Sequence, residues 1–395
     1  MWKHKNNVVH LLYHNSHRLD SNGGMTSRSA SHAGSWYPAS KTRLTNDLDG
    51  WLCEAHVDDG QKVDESWKSV CMPAPMKDCR AIIAPHAGYS YSGRAAAWAY
   101  KLIDPDQICL LQLYSGISKR VFILGPAHHV YLNCCALSKC THYETPVGDL
   151  PIDTSSSAPT ICFNSLQRRV EGNKTIWRNG LANGRGRTQY RTSSALHSPR
   201  VQKVNQDIKI VPILVGSLYP TEERKYGALL APYLADPQNF FVISSDFCHW
   251  AALLTDAMRV SLCRGSRFSY TYYQDPNMAG SPKTLTSSSS APQYPIHKSI
   301  ECLDREALEA ISLEDPSHAH DSFNAYLKRT KNTICGRHPI GVLLGAMIKL
   351  QETAVRQKLR FVRYEQSSQC LTGKDSSVSY ASAFLGHPTS LSSAS

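Results

Sequence analysis

The chain has 395 residues, 42% of them apolar and 19% charged, which is typical of a globular protein that buries a sizeable core. No apolar stretch is long enough to cross a bilayer as a helix, and the N-terminus lacks the apolar segment of a secretory signal. The net charge of +11 comes from two irregular segments, +3 within residues 1–28 and +8 within residues 160–203. We therefore expect no membrane insertion, no secretion and no nucleic-acid partner.

The 13 cysteines are scattered and form no CxxC pair. This pattern argues against both a zinc ribbon and a small disulfide scaffold, so we expect reduced thiols. The predicted location is the cytoplasm, with the nucleus as a further compartment.

Along the chain, short runs rich in β-branched residues alternate with helical patterns. The first four runs are unbroken rather than alternating, as in strands that are buried on both faces. These predicted strands are residues 81–84, 121–124, 208–215 and 240–243. The predicted helices are residues 43–55, 93–102, 221–234, 299–311, 322–331 and 340–355, and two later strands are residues 359–363 and 378–384. The order predicts an α/β protein, a single domain with a central mixed sheet flanked by helices.

Several stretches lack any helix or strand period. Residues 1–28 are predicted to be a disordered N-terminal extension, and residues 389–395 a disordered tail. Within the domain, assigned to residues 29–388, three irregular stretches interrupt the pattern. They are residues 154–205, 251–266 and 276–296.

Side chains that can bind metal or transfer protons follow three of the predicted strands. AIIAP runs into His86, VFILGPA into His128, and FVISS into Asp246 and then His249. In open α/β sheets, ligands bind in the crevice beyond the carboxyl ends of the strands. Two imidazoles and a carboxylate are also the donor set of non-heme iron sites. The pattern predicts a metal or catalytic site at this edge; the alternative is that each is an ordinary loop residue.

Cys335 is a further candidate, in the run NTICGRHP before a predicted helix. Pro339 suits the first turn of that helix, so Cys335 would lie near the positive end of the helix and close to Arg337. Both features favour the thiolate, the form of cysteine that binds metal. A buried loop cysteine without a function is the alternative interpretation.

Several long motifs, in the same order, resemble the Memo family of mediators of receptor-driven cell motility. The motifs are SHAGSWYP (31–38), APHAGYSYSG (84–93), FILGPAHHV (122–130), SSDFCHW (244–250), TICGRHPIGVLL (333–344), YEQSSQC (364–370) and DSSVSYAS (375–382).

The resemblance implies a fold similar to class III extradiol dioxygenases, which are non-heme iron enzymes. It implies a site for one iron or copper ion at His86, His128 and Cys335, with Asp246 and His249 lining the same pocket. Family members have an attributed copper-dependent oxidant-generating activity, and phosphotyrosine peptides of signalling receptors are implied partners. A thiolate in place of the usual carboxylate changes the metal preference, so ring cleavage is not expected by default.

The sequence departs from the family at residues 154–205. Relatives carry a His-Ser-x-Glu-x-His-Leu-Pro segment between the strands near residues 150–153 and 208, and this chain has nothing like it. Our hypothesis is that this stretch, together with residues 251–266 and 276–296, derives from translated introns or faulty exon joins. If the stretch is real, the pocket lacks part of its wall.

Two classes of function fit the sequence. The first is a metal-dependent redox protein or enzyme, in which His249 serves as acid or base and Asp246 orients it or a bound water. The second is a signalling adaptor that uses the same pocket to bind a phosphorylated peptide without metal. The sequence favours a metal-binding protein with a regulatory role in signalling, motility and cytoskeletal control. A catalytically active dioxygenase is the alternative.

Overall fold

The computed structural model describes residues 27–55, 76, 78–103, 120–128, 132–138, 140–153, 208–251, 271–273, 283–284, 294–372 and 375–386. The expectations for the N-terminal extension up to residue 26, for the three irregular stretches and for the C-terminal tail fall almost wholly outside these residues. Within those segments the structure describes residues 27–28, residue 251, residues 283–284 and residues 294–296.

The strands and helices of the described residues follow in chain order. The strands are β1 (Ser27–Arg28), β2 (Ala81–Ala84), β3 (Arg120–Pro126), β4 (Cys135–Leu137), β5 (His142–Tyr143), β6 (Leu150–Pro151), β7 (Lys209–Val215), β8 (Asn239–Ser244), β9 (His249–Ala251), β10 (Thr271–Tyr272), β11 (Lys283–Thr284), β12 (Lys358–Gln366) and β13 (Ser376–Gly386). The helices are α1 (Lys41–Glu54), α2 (Tyr89–Lys101), α3 (Pro220–Ala235), α4 (Ile296–Ile311), α5 (Pro316–Thr330) and α6 (Arg337–Gln351).

A mixed sheet forms the centre of the molecule, with the strand order β12-β13-β2-β8-β3-β7-β4. The four inner strands β2, β8, β3 and β7 run parallel to one another. Strands β4, β13 and β12 flank them in antiparallel pairs, and β9 adds to β13. The described residues also form two small sheets, β1-β5-β6 and β10-β11. The predicted α/β class and the mixed sheet are confirmed.

Successive side chains of the inner strands point to opposite sides of the sheet, and a packed layer covers each side. Ala81 and Ile83 pack with residues of α3 to α6, whereas Ile82 and Ala84 pack on the other side with residues of α2 and the β1-β5-β6 sheet. Burial of each large apolar side chain contributes about 1.5–3 kcal/mol, so two such layers stabilise the sheet.

Some helix boundaries differ from the prediction. Helix α5 begins at Pro316 rather than at residue 322, since Asp315 caps it by accepting from the N–H of Ser317 at 2.8 Å and Pro316 occupies the first turn. The same helix ends where Lys331 adopts a left-handed conformation with φ of 56°. Helix α6 begins at Arg337 and ends at Gln351. Among the described residues, no helix combines the length and the apolar character that a membrane span requires.

Candidate metal centre

Three neighbouring strands of the central sheet deliver site residues to one edge. Strand β8 lies between β2 and β3, and all three run in the same direction. His86 follows β2 by two residues, His128 follows β3 by two, and Asp246 follows β8 by two. The three side chains predicted from strand-end chemistry are therefore brought to the same edge of the sheet, as that prediction requires.

Cys335 lies at this edge too, but it precedes a helix instead of following a strand. It is the residue before the N-cap of α6. Gly336 lies so close to the end of β8 that a Cβ atom there would be 2.3 Å from the Cβ of Ser245. Its N–H donates to Ser245 Oγ at 3.1 Å, and that hydroxyl donates in turn to the carbonyl of Asp246 at 2.9 Å. Glycine at this position thus allows the Cys335 loop to dock directly on the strand end.

Two nitrogens and one sulfur converge at the centre of the site. Nε2 of His86 is 3.0 Å from Sγ of Cys335 and 3.2 Å from Nε2 of His128. Two imidazole nitrogens bound to one tetrahedral ion lie about 3.3 Å apart, so the histidine spacing already matches that of metal ligands. His86 and Cys335 are buried and His128 is half-buried. The three side chains form a group that could hold a metal ion.

The orientation of His86 is fixed from both sides. Its Nδ1 is 3.1 Å from the hydroxyl of Ser244, and its backbone N–H donates to Oδ1 of Asp246 at 2.7 Å. With Nδ1 donating to the serine oxygen, Nε2 carries the lone pair that points at Cys335 and His128. A hydrogen bond to the second ring nitrogen is the usual way in which proteins orient a histidine ligand.

Asp246 is buried beside this cluster. Its Oδ1 also accepts from the N–H of Ala87 at 3.1 Å, and its Oδ2 lies 3.7 Å from Nε2 of His86. The backbone N–H of Asp246 donates to Sγ of Cys335 at 3.2 Å, which stabilises negative charge on the sulfur. Asp246, His249 and Cys335 form a second group able to hold an ion, and the two groups share the cysteine.

Main-chain carbonyls orient His249. Its Nδ1 is 2.7 Å from the carbonyl oxygen of Phe247 and 3.2 Å from that of Thr333. Two carbonyl acceptors require a proton on Nδ1, so the neutral ring has its lone pair on Nε2. Oδ1 of Asp246 is engaged by the backbone of His86 and Ala87, and the orientation of His249 or of a bound water by Asp246 stays a prediction.

Cys248 lies between Asp246 and His249 but differs from Cys335 in its environment. Burial, with smaller contributions from Asp304 and Cys370, raises the pKa of the Cys248 thiol well above its ordinary value. A thiol held protonated is a poor ligand for metal. Among the described residues, Cys335 belongs to both groups that could hold an ion, whereas Cys248 belongs to neither.

Sequence reasoning missed the residues that support the site. Ser244 and Ser245 were visible as polar side chains at the end of a buried strand. Asp304 was visible as a carboxylate on the apolar stripe of α4, four residues after Ile300 and four before Leu308.

The chain was compared with known proteins. Residues 28–384 match the family described as Memo-like protein. Protein MEMO1 of Xenopus tropicalis is 41% identical over 367 residues, covering 91% of this chain and 97% of that protein. Protein MEMO1 of Homo sapiens is 40% identical with the same coverage, and the memo-1 homolog of Caenorhabditis elegans is 36% identical over 375 residues, covering 93% and 85%. The crystal structure of uncharacterized protein JW3007 from Escherichia coli K12 aligns with a TM-score of 0.35 and 12% identity over 77% of this chain and 99% of that one. The match over most of the chain, together with relatives at about 40% identity, means that the chain belongs to the Memo family.

Proposed function

We propose that this protein binds one iron or copper ion through His86, His128 and Cys335. The observation that carries the proposal is the convergence of Nε2 of His86 with Sγ of Cys335 at 3.0 Å and Nε2 of His128 at 3.2 Å. Partners of His86 on its Nδ1 and on its backbone hold the first of these donors in place. Such support of a ligand by a second layer of hydrogen bonds is typical of metal sites.

The donor set favours transition metals over Mg²⁺ or Ca²⁺. Imidazole suits iron and copper, and thiolate is a soft ligand that favours Cu(I). The carboxylate of Asp246 lies beside these three donors, with Oδ2 3.7 Å from Nε2 of His86. When bound, an iron or copper ion at this place supplies redox and Lewis-acid chemistry.

His249 and Asp246 are the residues proposed for proton transfer. Nδ1 of His249 faces two carbonyl acceptors, so in the neutral ring Nε2 carries the lone pair and can accept a proton. Asp246 belongs with it to the group that includes Cys335 and can hold a bound water by its Oδ2. This arrangement favours the second candidate function, an enzyme of the non-heme iron dioxygenase type.

The biological role we propose is regulatory: redox-linked control of signalling, motility and the cytoskeleton, in the cytoplasm or nucleus. Phosphotyrosine peptides of signalling receptors are the proposed partners. The support for this part is membership of the Memo family, and the metal site is the part that the geometry itself supports.

The test is the metal content of protein expressed and purified without oxygen. We expect about one iron or copper per chain in the wild type, and loss of that metal in a His86→Ala, His128→Ala double variant. The matched control is His297→Ala with His318→Ala, which removes two imidazoles on α4 and α5. Metal retained by the site variant, or absent from folded wild type, would contradict the proposal and favour a metal-independent adaptor.

A further inference from the structure

Asp304 is a carboxylate without any exposed surface, in the middle of α4. Its Oδ1 accepts two hydrogen bonds, from the backbone N–H of Cys248 at 3.1 Å and from Nδ2 of Asn332 at 3.0 Å. Its Oδ2 accepts from the hydroxyl of Tyr364 at 2.9 Å. These donors are neutral, as is the hydroxyl of Ser379, which also hydrogen-bonds to Asp304, so the carboxylate is solvated by hydrogen bonds inside the protein rather than by a cation.

The two donors to Oδ1 come from the two loops that carry the site. Cys248 lies between Asp246 and His249, on the loop after β8. Asn332 lies three residues before Cys335, on the loop before α6. Both loops therefore meet at a single oxygen atom, and neither donor can shift without losing its bond or displacing the shared acceptor.

The acceptor itself is anchored in the core. Leu303 and Ala307, on the same helix, are fully or almost fully buried. The hydroxyl of Tyr364, on β12, lies 3.2 Å from Oγ of Ser379 on β13, and the backbone of Ser379 pairs with the loop after β8 through bonds to Phe247 and Cys248. Asn332 donates in addition to the hydroxyl of Tyr326 at 2.8 Å.

We infer that Asp304 is the positioning residue of the site, which fixes the Cys335 loop against the loop of Asp246 and His249. It touches none of the proposed ligands. The predicted effect of Asp304 on metal binding depends on the proposed function, whereas its predicted effect on the two loops does not. A support of this kind for a metal site changes affinity about 10- to 100-fold when it is removed.

The first experiment measures amide hydrogen exchange in metal-free protein, kept in chelator. Asp304→Ala removes the shared acceptor, and we expect amides at residues 246–249 and 333–336 to exchange at least about tenfold faster, together and ahead of the core. Asp304→Asn keeps one oxygen for both loop donors and turns its amide towards Tyr364, so exchange stays close to wild type. Leu308→Ala, one turn along α4, is the matched control, because it weakens the core without removing a hydrogen bond to either loop.

The second experiment uses Co²⁺ as the probe. We expect Asp304→Ala to weaken Co²⁺ binding about 10- to 100-fold and to change the thiolate-to-cobalt absorption band, whereas Asp304→Asn and Leu308→Ala leave the band unchanged. A wild type that binds no Co²⁺ would remove the proposed metal site, and hydrogen exchange alone would then decide the inference. Loop exchange in Asp304→Ala that merely follows the global loss of stability, as in Leu308→Ala, would overturn it.

Discussion

The sulfur of Cys335 lies 3.0 Å from Nε2 of His86, although 249 residues separate the two in the chain. One residue follows an inner strand and the other precedes a helix, and each has its own hydrogen-bonded support. Ser244 holds the imidazole, while the backbone N–H of Asp246 donates to the sulfur. Two independently supported groups that meet at this distance form a pre-organised pair of donor atoms that could hold a metal ion.

The thiolate is expected to decide which metal the site prefers. Replacement of Cys335 by Ser substitutes a hard, weakly acidic hydroxyl for a soft donor, so affinity for Cu(I) should fall about 100-fold or more. Competition with a Cu(I) chelator measures this change. Cys53→Ser is the control, because Cys53 is an exposed thiol on α1. Equal losses in the two variants would indicate adventitious binding to thiols.

Gly336 is expected to be intolerant of any side chain. In Gly336→Ala the new methyl group would lie 2.3 Å from Cβ of Ser245, so the Cys335 loop must move away from the strand end. Overpacking of this kind costs about 1–3 kcal/mol of unfolding free energy, and the displaced thiolate should also reduce metal content. Urea unfolding and metal analysis measure the two effects.

The control for that variant is Gly50→Ala. Gly50 is an exposed position inside α1 with nothing within 4 Å of a Cβ atom, so alanine there should stabilise the protein by about 0.5–1 kcal/mol. If Gly336→Ala were as well tolerated as Gly50→Ala, the close approach of the loop to Ser245 would be wrong.

The sequence predicts the sheet and the convergence of His86 and His128 because both follow from local patterns. Unbroken β-branched runs predict the four inner strands, and parallel strands bring residues such as His86 and His128 to one edge. The start of α5 was missed because the apolar period begins late in that helix, whereas Asp315 and Pro316 set its true beginning.

The support of the site could not be predicted, because it depends on pairings between distant segments. Nothing local indicates that Asp304 accepts from Cys248 and Asn332, 56 and 28 residues away. The sequence offers one local signal of this support, a carboxylate on an otherwise apolar helix face.

The origin of the irregular stretches stays a prediction. We propose one domain over residues 29–388, in which residues 154–205, 251–266 and 276–296 are irregular insertions or derive from translated introns or faulty exon joins. Sequencing the transcript across these junctions should return an open reading frame without them, and with the His-Ser-x-Glu-x-His-Leu-Pro segment of the relatives in place of the first. A transcript that encodes residues 154–205 as they stand would contradict the intron hypothesis.

The unfolding free energy should depend on pH through the ionisation of Asp304. Burial raises its pKa from 3.8 to about 6, against the lowering effect of its hydrogen bonds. The folded state therefore holds this proton more tightly than the unfolded state, so the stabilisation is complete below pH 3.8 and is lost as the pH rises through 6. Relative to Asp304→Asn, the unfolding free energy of the wild type should fall by about 2 kcal/mol between pH 4.5 and pH 7. Urea unfolding of the metal-free proteins measures the difference, and a flat difference would contradict the assignment.

Glu223 is a second buried carboxylate, and its contribution to the unfolding free energy should have the opposite pH dependence. It accepts from Nε2 of His320 at 2.8 Å and from Nδ1 of His338 at 2.7 Å, and Arg224 and Arg337 donate to the far nitrogens of these rings. Burial by itself would raise the pKa of Glu223, but the two histidine hydrogen bonds outweigh it and lower the pKa below 4.5. The stabilisation is therefore present above pH 4.5 and is lost as the pH falls through the lower, folded value.

Glu223→Gln tests this directly, since it leaves one oxygen and an amide to face two ring N–H donors. We expect a loss of about 1–3 kcal/mol of unfolding free energy at pH 7, and a smaller difference from the wild type as the pH is lowered past 4.5. The same urea titrations apply, with Glu314→Gln as the control, because that carboxylate is exposed and pairs with Lys358. A difference that grows towards acid pH would contradict the lowered pKa of Glu223.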